Sequence, residues 1–238
     1  MNAGRPGSIS VRRDGSSVVA VLYLVWLGFA IAIPLLATGL DTRNTTLLGA
    51  VVFLIVQLSL ARPLSRLVRG FTPRRVFLAF GLLAACFLEA FHMISQPFHS
   101  ALLITRGMSA GEGLNKLLVD LVFTLPSYLL VFAVIWRLLQ RYGFSPIEYG
   151  ALVSLGQCLG DGGLLFFLEA PSMLLFLPYT LVKYQAMNAL PYLLIKDTLA
   201  PGDRSWQRLL VPVPVIVATY FVCGTLSQTL WTMMGLPA

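Results

Sequence analysis

Five ionisable side chains fall inside otherwise apolar stretches of this sequence: Glu89, His92, Asp120, Asp161 and Lys183. At the centre of a membrane helix each such group costs about 2.5–3.5 kcal/mol unless it is paired or hydrated, so each marks a candidate site. Glu89 and His92 are three residues apart and share a helix face, as do Gln157 and Asp161 at a spacing of four. Glu-x-x-His is also the spacing of di-iron bundles, but those need a second copy and the chain has none. With two histidines in the chain, a zinc hydrolase lacks ligands, and neither a Ser-His-Asp set nor a phosphate-binding glycine loop assembles. No metal or cofactor is implied, and the chemistry left is proton transfer.

Carboxyl groups in an apolar cavity suit that chemistry. Desolvation favours the neutral acid, which can donate a proton, while a second, better hydrated carboxylate serves as base and stabilises a cation. The assignment is Glu89 with His92 as donor couple and Asp120 or Asp161 as the stabilising base. Phe91, Tyr128 and Tyr184 offer aromatic faces to a carbocation. The competing structural reading pairs Asp161 with Lys183 and Glu89 with His92 merely to lock a bundle. Gly156 and Gly160 have the small-xxx-small spacing of close helix packing.

The elements that must position these groups are membrane helices. Hydrophobic residues make up 57% of the 238-residue chain, charged residues only 11%, and the mean hydropathy is +0.81, which takes the chain out of the class of ordinary soluble domains. Seven apolar segments run over residues 17–38, 46–61, 76–97, 116–136, 149–168, 172–195 and 209–233, so the expected fold is an all-α polytopic membrane bundle of about seven transmembrane helices. Glu169-Ala170-Pro171 breaks the fifth segment from the sixth as a tight hairpin. On this register Glu89 and Asp161 lie about 20 and 18 Å above one membrane face, Lys183 is near mid-membrane, and Asp120 is about one turn into its helix. Four helices then direct charge to one cavity.

The basic residues give the topology. Arg5, Arg12, Arg13, Arg62, Arg66, Arg69, Arg74, Arg75, Arg137, Arg141, Lys196, Arg204 and Arg208 fall on one side, and only Arg43, Arg106 and Lys116 on the other. Thirteen against three places the N-terminus in the cytoplasm. The +7 net charge therefore reads as topology rather than as a nucleic-acid surface. Cys86, Cys158 and Cys223 all sit in apolar segments and read as small buried hydrophobes, and the sequon at Asn44 carries no weight. Residues 1–16 read as a cytoplasmic tail, 17–71 as two N-terminal helices, 72–198 as a four-helix unit and 199–238 as a loop and a last helix.

The 72–198 unit resembles the emopamil-binding protein family, whose EXPERA domain binds sterols. The likeness is carried by Ser154-Leu155-Gly156-Gln157-Cys158-Leu159-Gly160-Asp161 and by Met187-Asn188-Ala189-Leu190, in the family's order. It implies a sterol isomerase that moves a ring double bond. Glu89 and His92 would be its acid–base pair, Asp120 the carboxylate of the next helix and Asn188 a polar ligand near the cationic intermediate, with Gln157, Tyr184, Tyr128 and Phe91 completing the substrate contacts. The implied partners are a sterol or triterpenoid substrate and the lipid bilayer, with no nucleic acid and a homodimer left open. The membrane would be endoplasmic reticulum in a eukaryote and plasma membrane in a bacterium. A non-catalytic lipid-binding or transport protein, and a proton-initiated terpenoid cyclase or isomerase, use the same kind of pocket and stand as alternatives.

Overall fold

The structure is a computed structural model that describes residues 14–235, so the assignments made for Arg5, Arg12, Arg13 and the start of the tail lie outside the described residues. Among the described residues 83% are helical and no strand forms, which is the expected all-α membrane bundle. The long elements are α1 (Asp14–Thr38), α2 (Thr42–Leu67), α3 (Pro73–His92), α4 (Ala110–Arg141), the broken pair α5 (Pro146–Cys158) and α6 (Leu164–Glu169), and α7 (Leu177–Ile195). A one-turn helix α8 (Gln207–Leu210) leads into α9 (Pro212–Met233). Among the described residues six spans are long and apolar enough to cross a membrane.

The seventh long helix, α7, falls short in apolarity because it faces protein rather than lipid. It packs against α2, α3, α5 and α1, and twelve of its nineteen residues are buried. Polar side chains such as Asn188 are tolerated there because partners, not acyl chains, surround them. By contrast α1 turns Val18, Leu22, Val25, Phe29 and Leu36 outward, as a peripheral lipid-facing helix does. Trp26 Nε1 reaches the Leu175 carbonyl at 2.7 Å, and Tyr23 accepts from Gln185 at 2.6 Å, pinning α1 to the α7 segment.

Several expected boundaries move. Helix α2 is not short: it runs 26 residues, through Pro63 and three arginines. Helix α3 ends at His92 instead of continuing to 97. Helix α4 begins at Ala110, where Ser109 and Glu112 form a reciprocal capping box. Asp120 therefore lies about 15 Å into its helix rather than one turn. The turn at Ala170 is where it was expected, but a 3-10 segment (Pro171–Phe176) precedes α7, so Lys183 sits about 9 Å from the start of that helix rather than at its middle.

Helix α9 is an integral wall. A Cβ at Gly156 would meet Ile216 Cβ at 2.9 Å, and one at Gly160 would meet Tyr220 Cβ at 2.6 Å, so the small-xxx-small pair, Gly156 on α5 and Gly160 just past its end, brings α9 into backbone-close contact. The end of the bundle holding Arg141 is closed by Asp203, whose N–H donates to Arg141 O at 2.9 Å and whose carbonyl accepts from Gly143 N at 3.0 Å. Arg208 pairs with Glu148 there at 3.0 Å.

Candidate functional site

The opposite end, holding Asp41, contains the chemistry. Helix α5 does not continue through Asp161. A π-type turn (Leu159–Gly163) interrupts it, with Asp161 at φ −85°, ψ 39° and Gly162 at φ 88°, a backbone that only glycine adopts without strain. Irregular backbone within a bundle is tolerated where it lines a cavity, and two cavities meet at this break.

The first, about 400 Å³, is walled by Glu89 and His92 of α3, Ser127 and Tyr128 of α4, Asp161 at the break, Lys183 of α7 and Tyr220 of α9, under Gln96 and Phe98 of the loop that follows α3. Glu89 is 5% exposed; its Oε1 accepts from the Tyr128 hydroxyl, and its Oε2 lies 3.8 Å from His92 Nδ1. His92, 8% exposed, has Nε2 buried without a partner among the described residues. Asp161, by contrast, is exposed to the cavity, and its Oδ2 accepts from the Tyr184 hydroxyl at 2.5 Å. One wall thus carries a buried carboxyl–imidazole couple and another an accessible carboxylate.

The second cavity, about 670 Å³, shares Gln96, Asp161, Gly162 and Lys183 with the first and opens towards α1 and α6. Its polar side has Asp41, Arg43, Asn44 and Tyr179, and its apolar side has Phe166, Phe167, Met173 and Phe176. Asn44 is 1% exposed: its amide donates to Thr38 Oγ1 at 2.9 Å and Gly39 O at 2.7 Å while its carbonyl accepts from Tyr179 at 2.9 Å. The Asn44 sequon is consumed by packing.

Of the residues expected at the site, Glu89, His92, Tyr128 and Asp161 come together on the first cavity, and Tyr184 lines the second. The remaining four are placed elsewhere. Asp120 is fully buried behind the loop, where its Oδ1 accepts the Phe98 N–H at 2.8 Å and its Oδ2 is unpartnered among the described residues. It positions the loop that roofs the cavity, and Phe98 stacks on Phe123 beneath that roof at 5.7 Å between ring centres. Phe91 turns away to pack on Gly49 and Phe53 of α2. Gln157 and Asn188 are fully buried and bonded to each other, so the two sequence runs that carry the family likeness face one another across α5 and α7.

The pairing of Asp161 with Lys183 that the competing structural reading requires does not form: among the described residues Lys183 has no carboxylate within 4.0 Å, and its ammonium stands 4.9 Å from the Tyr184 ring centre. Nor does Gln157 bond Asp161; its amide reaches Met187 Sδ at 3.7 Å. Sequence reasoning left Gln96, Phe98 and Tyr220 outside the site. Gln96 belongs to the end of an apolar run that reads as helix, Phe98 falls just past it, and Tyr220 is one aromatic in a uniformly apolar segment. It also missed Gln57 of α2, fully buried, which donates to Ala186 O at 2.7 Å and accepts from Leu190 N at 3.2 Å, the two ends of one helical turn of α7. A glutamine in the midst of an apolar helix was the available signal.

The three cysteines are free thiols, Cys158 and Cys223 buried and Cys86 half-buried. Among the described residues no group of three or more His, Cys, Asp or Glu side chains is arranged to hold a metal. Compared with known proteins, the chain matches no family model, and no curated protein or solved structure matches it.

Proposed function

We propose that the protein is a membrane isomerase that moves a carbon–carbon double bond in a sterol or triterpenoid by protonation and deprotonation. The observation that carries this reading is the opposition, within one cavity, of the buried Glu89–His92 couple and the accessible Asp161 carboxylate. With its Nδ1 side held by Glu89, the imidazolium of His92 presents the Nε2 proton to one alkene carbon. A C–H bond forms there, and the positive charge develops on the neighbouring carbon, within reach of the Tyr128 face and the nearby carboxylates. Asp161 then takes a proton from the next carbon, a C–H bond breaks, and the double bond is re-formed one position along. The proton returns to His92 through the open cleft, so atoms and electrons balance without an external oxidant or reductant. Asp120, which does not line the cavity, serves in this scheme by holding the Phe98 roof.

The size of the cavities supports a lipid substrate, since ligand sites of drug-sized molecules span about 300–1,000 Å³. The resemblance to the EXPERA family points to a sterol, and the facing of residues 154–161 and 187–190 across α5 and α7 fits that resemblance. The thirteen-to-three division of basic residues supports a cytoplasmic N-terminus, with the site in the outer half of an endoplasmic reticulum or bacterial plasma membrane. Labelling of single engineered cysteines in intact vesicles checks this: residues 68–72, the turn between α2 and α3, should react only after permeabilisation.

The reaction is tested by incubating the purified protein with a panel of sterols and triterpenoids in deuterated water, with products identified by mass spectrometry and NMR. Turnover places deuterium in the product beside the shifted double bond. Tight binding with neither exchange nor rearrangement across pH 5–9 replaces this reading with lipid binding or transport, and a product with a new ring replaces it with cyclisation.

A further inference from the structure

The second cavity has a chemistry that double-bond migration does not use. Its walls hold two cations, exposed Arg43 and half-buried Lys183, and two carboxylates, Asp41 and Asp161. The carboxylates keep their charge but are held in place by neutral donors, turned to other partners than the two cations. Asp41 caps α2, accepting from Asn44 N at 2.7 Å and Thr38 Oγ1 at 3.1 Å, and Asp161 accepts from Tyr184. Neither cation has a carboxylate within 4.0 Å among the described residues. An ammonium in a membrane bundle without an adjacent counter-charge carries an uncompensated desolvation cost, which an anion entering the cavity removes. The side facing α6 and the 3-10 segment is Phe166, Phe167, Met173 and Phe176, a surface for hydrocarbon and not for a hydrated ion.

We infer that this cavity binds an amphiphile with a phosphate head, the phosphate lying between Lys183 and Arg43 and the acyl or prenyl chain running over the Phe166–Phe176 wall. The distribution of polarity selects this class. The polar side carries two cationic donors that suit a phosphate oxygen cluster, and the Phe166–Phe176 side has no group to pair with a second polar terminus. Since Lys183 also borders the first cavity, a bound phosphate would stand beside the Glu89–His92 site. The inference does not depend on what that site catalyses.

The test is binding to the purified full chain in a neutral detergent, followed by native mass spectrometry and by thermal unfolding. Three probes are compared: lysophosphatidic acid, the uncharged monoacylglycerol of the same chain length, and inorganic phosphate. Lysophosphatidic acid should be retained and should raise the unfolding temperature, and the other two should do neither. Lys183→Met should weaken its binding by about tenfold or more, the loss expected for one charge-assisted contact, and Lys183→Arg should restore most of it. Arg43→Gln, at an exposed position that leaves the fold intact, should weaken binding to a smaller degree. Equal retention of the uncharged lipid overturns the inference, as does a shift produced by inorganic phosphate alone. Unchanged affinity in both Lys183→Met and Arg43→Gln overturns it too. Because none of these measurements requires turnover, their failure is separate from failure of the isomerase reading.

Discussion

Two clusters of polar groups within the bundle lie within a few helical turns of each other and have opposite characters. In the deeper one, Gln57, Gln157 and Asn188 lie among regular helices and are bonded: Asn188 donates to Gln157 and to Tyr184 O at 2.7 Å, and Gln57 grips one turn of α7. In the other, at the α5–α6 break, His92 has an orphaned nitrogen among the described residues, Lys183 an ammonium with an aromatic face but no carboxylate beside it and Asp161 an exposed carboxylate, and the backbone is irregular. Satisfied polar groups specify which helices meet and in what register. Unsatisfied ones beside a cavity retain valence for a ligand. The difference separates residues that hold α5 against α7 from residues placed to react, although the sequence presents both as polar letters in apolar helices.

The largest effect expected from this contrast is at Glu89. Glu89→Gln keeps an acceptor for Tyr128 but removes the charge that holds the imidazolium, so turnover should fall by about 10²-fold or more with the unfolding temperature little changed. A parallel loss of stability would move Glu89 into the structural cluster. Asn188→Leu should do the reverse. It leaves Gln157 Oε1 buried without its donor, a cost of about 1–3 kcal/mol, and activity should decline only as far as folded protein does. Full stability with abolished turnover would mean that the deeper network reaches the substrate after all.

Between the clusters lies the α5–α9 contact. Gly160→Ala sets a Cβ 2.6 Å from Tyr220 Cβ, so it should destabilise the bundle by about 1–3 kcal/mol and displace the Tyr220 wall of the first cavity. Gly150→Ala, with nothing within 4 Å, is the control on the preceding helix α5 and should not lower the unfolding temperature. The smallest effect is expected far from both clusters, at exposed Asp203. Hydrogen bonds from the Ser205 N–H and hydroxyl hold its carboxyl below the ordinary carboxylate range. A depressed value means that its contribution to stability is present at neutral pH and is lost as pH falls through its own titration. The small difference in unfolding temperature between wild type and Asp203→Asn should therefore vanish in acid.

Much of this was legible in advance. The helix count, the break at Ala170, the close-packing glycines and the grouping of Glu89, His92, Tyr128 and Asp161 follow from residue types and helical spacing. Those are local quantities: an apolar run long enough to span hydrocarbon has to satisfy its own backbone as a helix, and residues three or four apart then share a face. The true start of α4 was also visible in Ser109 and Glu112, but an apolar window weighs only greasy residues and passes over a capping box.

Partner choice was not legible. Asp161 and Lys183 are opposite charges at compatible depths, yet Asp161 takes the hydroxyl of Tyr184 while Lys183 stays unpaired, because the π-turn rotates the carboxylate out of the helical register on which the pairing was counted. Asp120 looked equivalent to Glu89, and only the folding-back of the loop after α3 turned one into a roof anchor and left the other on the cavity wall. Sequence alone determined that this chain forms a polytopic helical bundle with ionisable groups near one end, since hydropathy and helical period act residue by residue. The tertiary structure decided which of those groups meet a cavity and which are spent on packing. That choice depends on helix rotation and on breaks in the helical ladder, which no local pattern encodes.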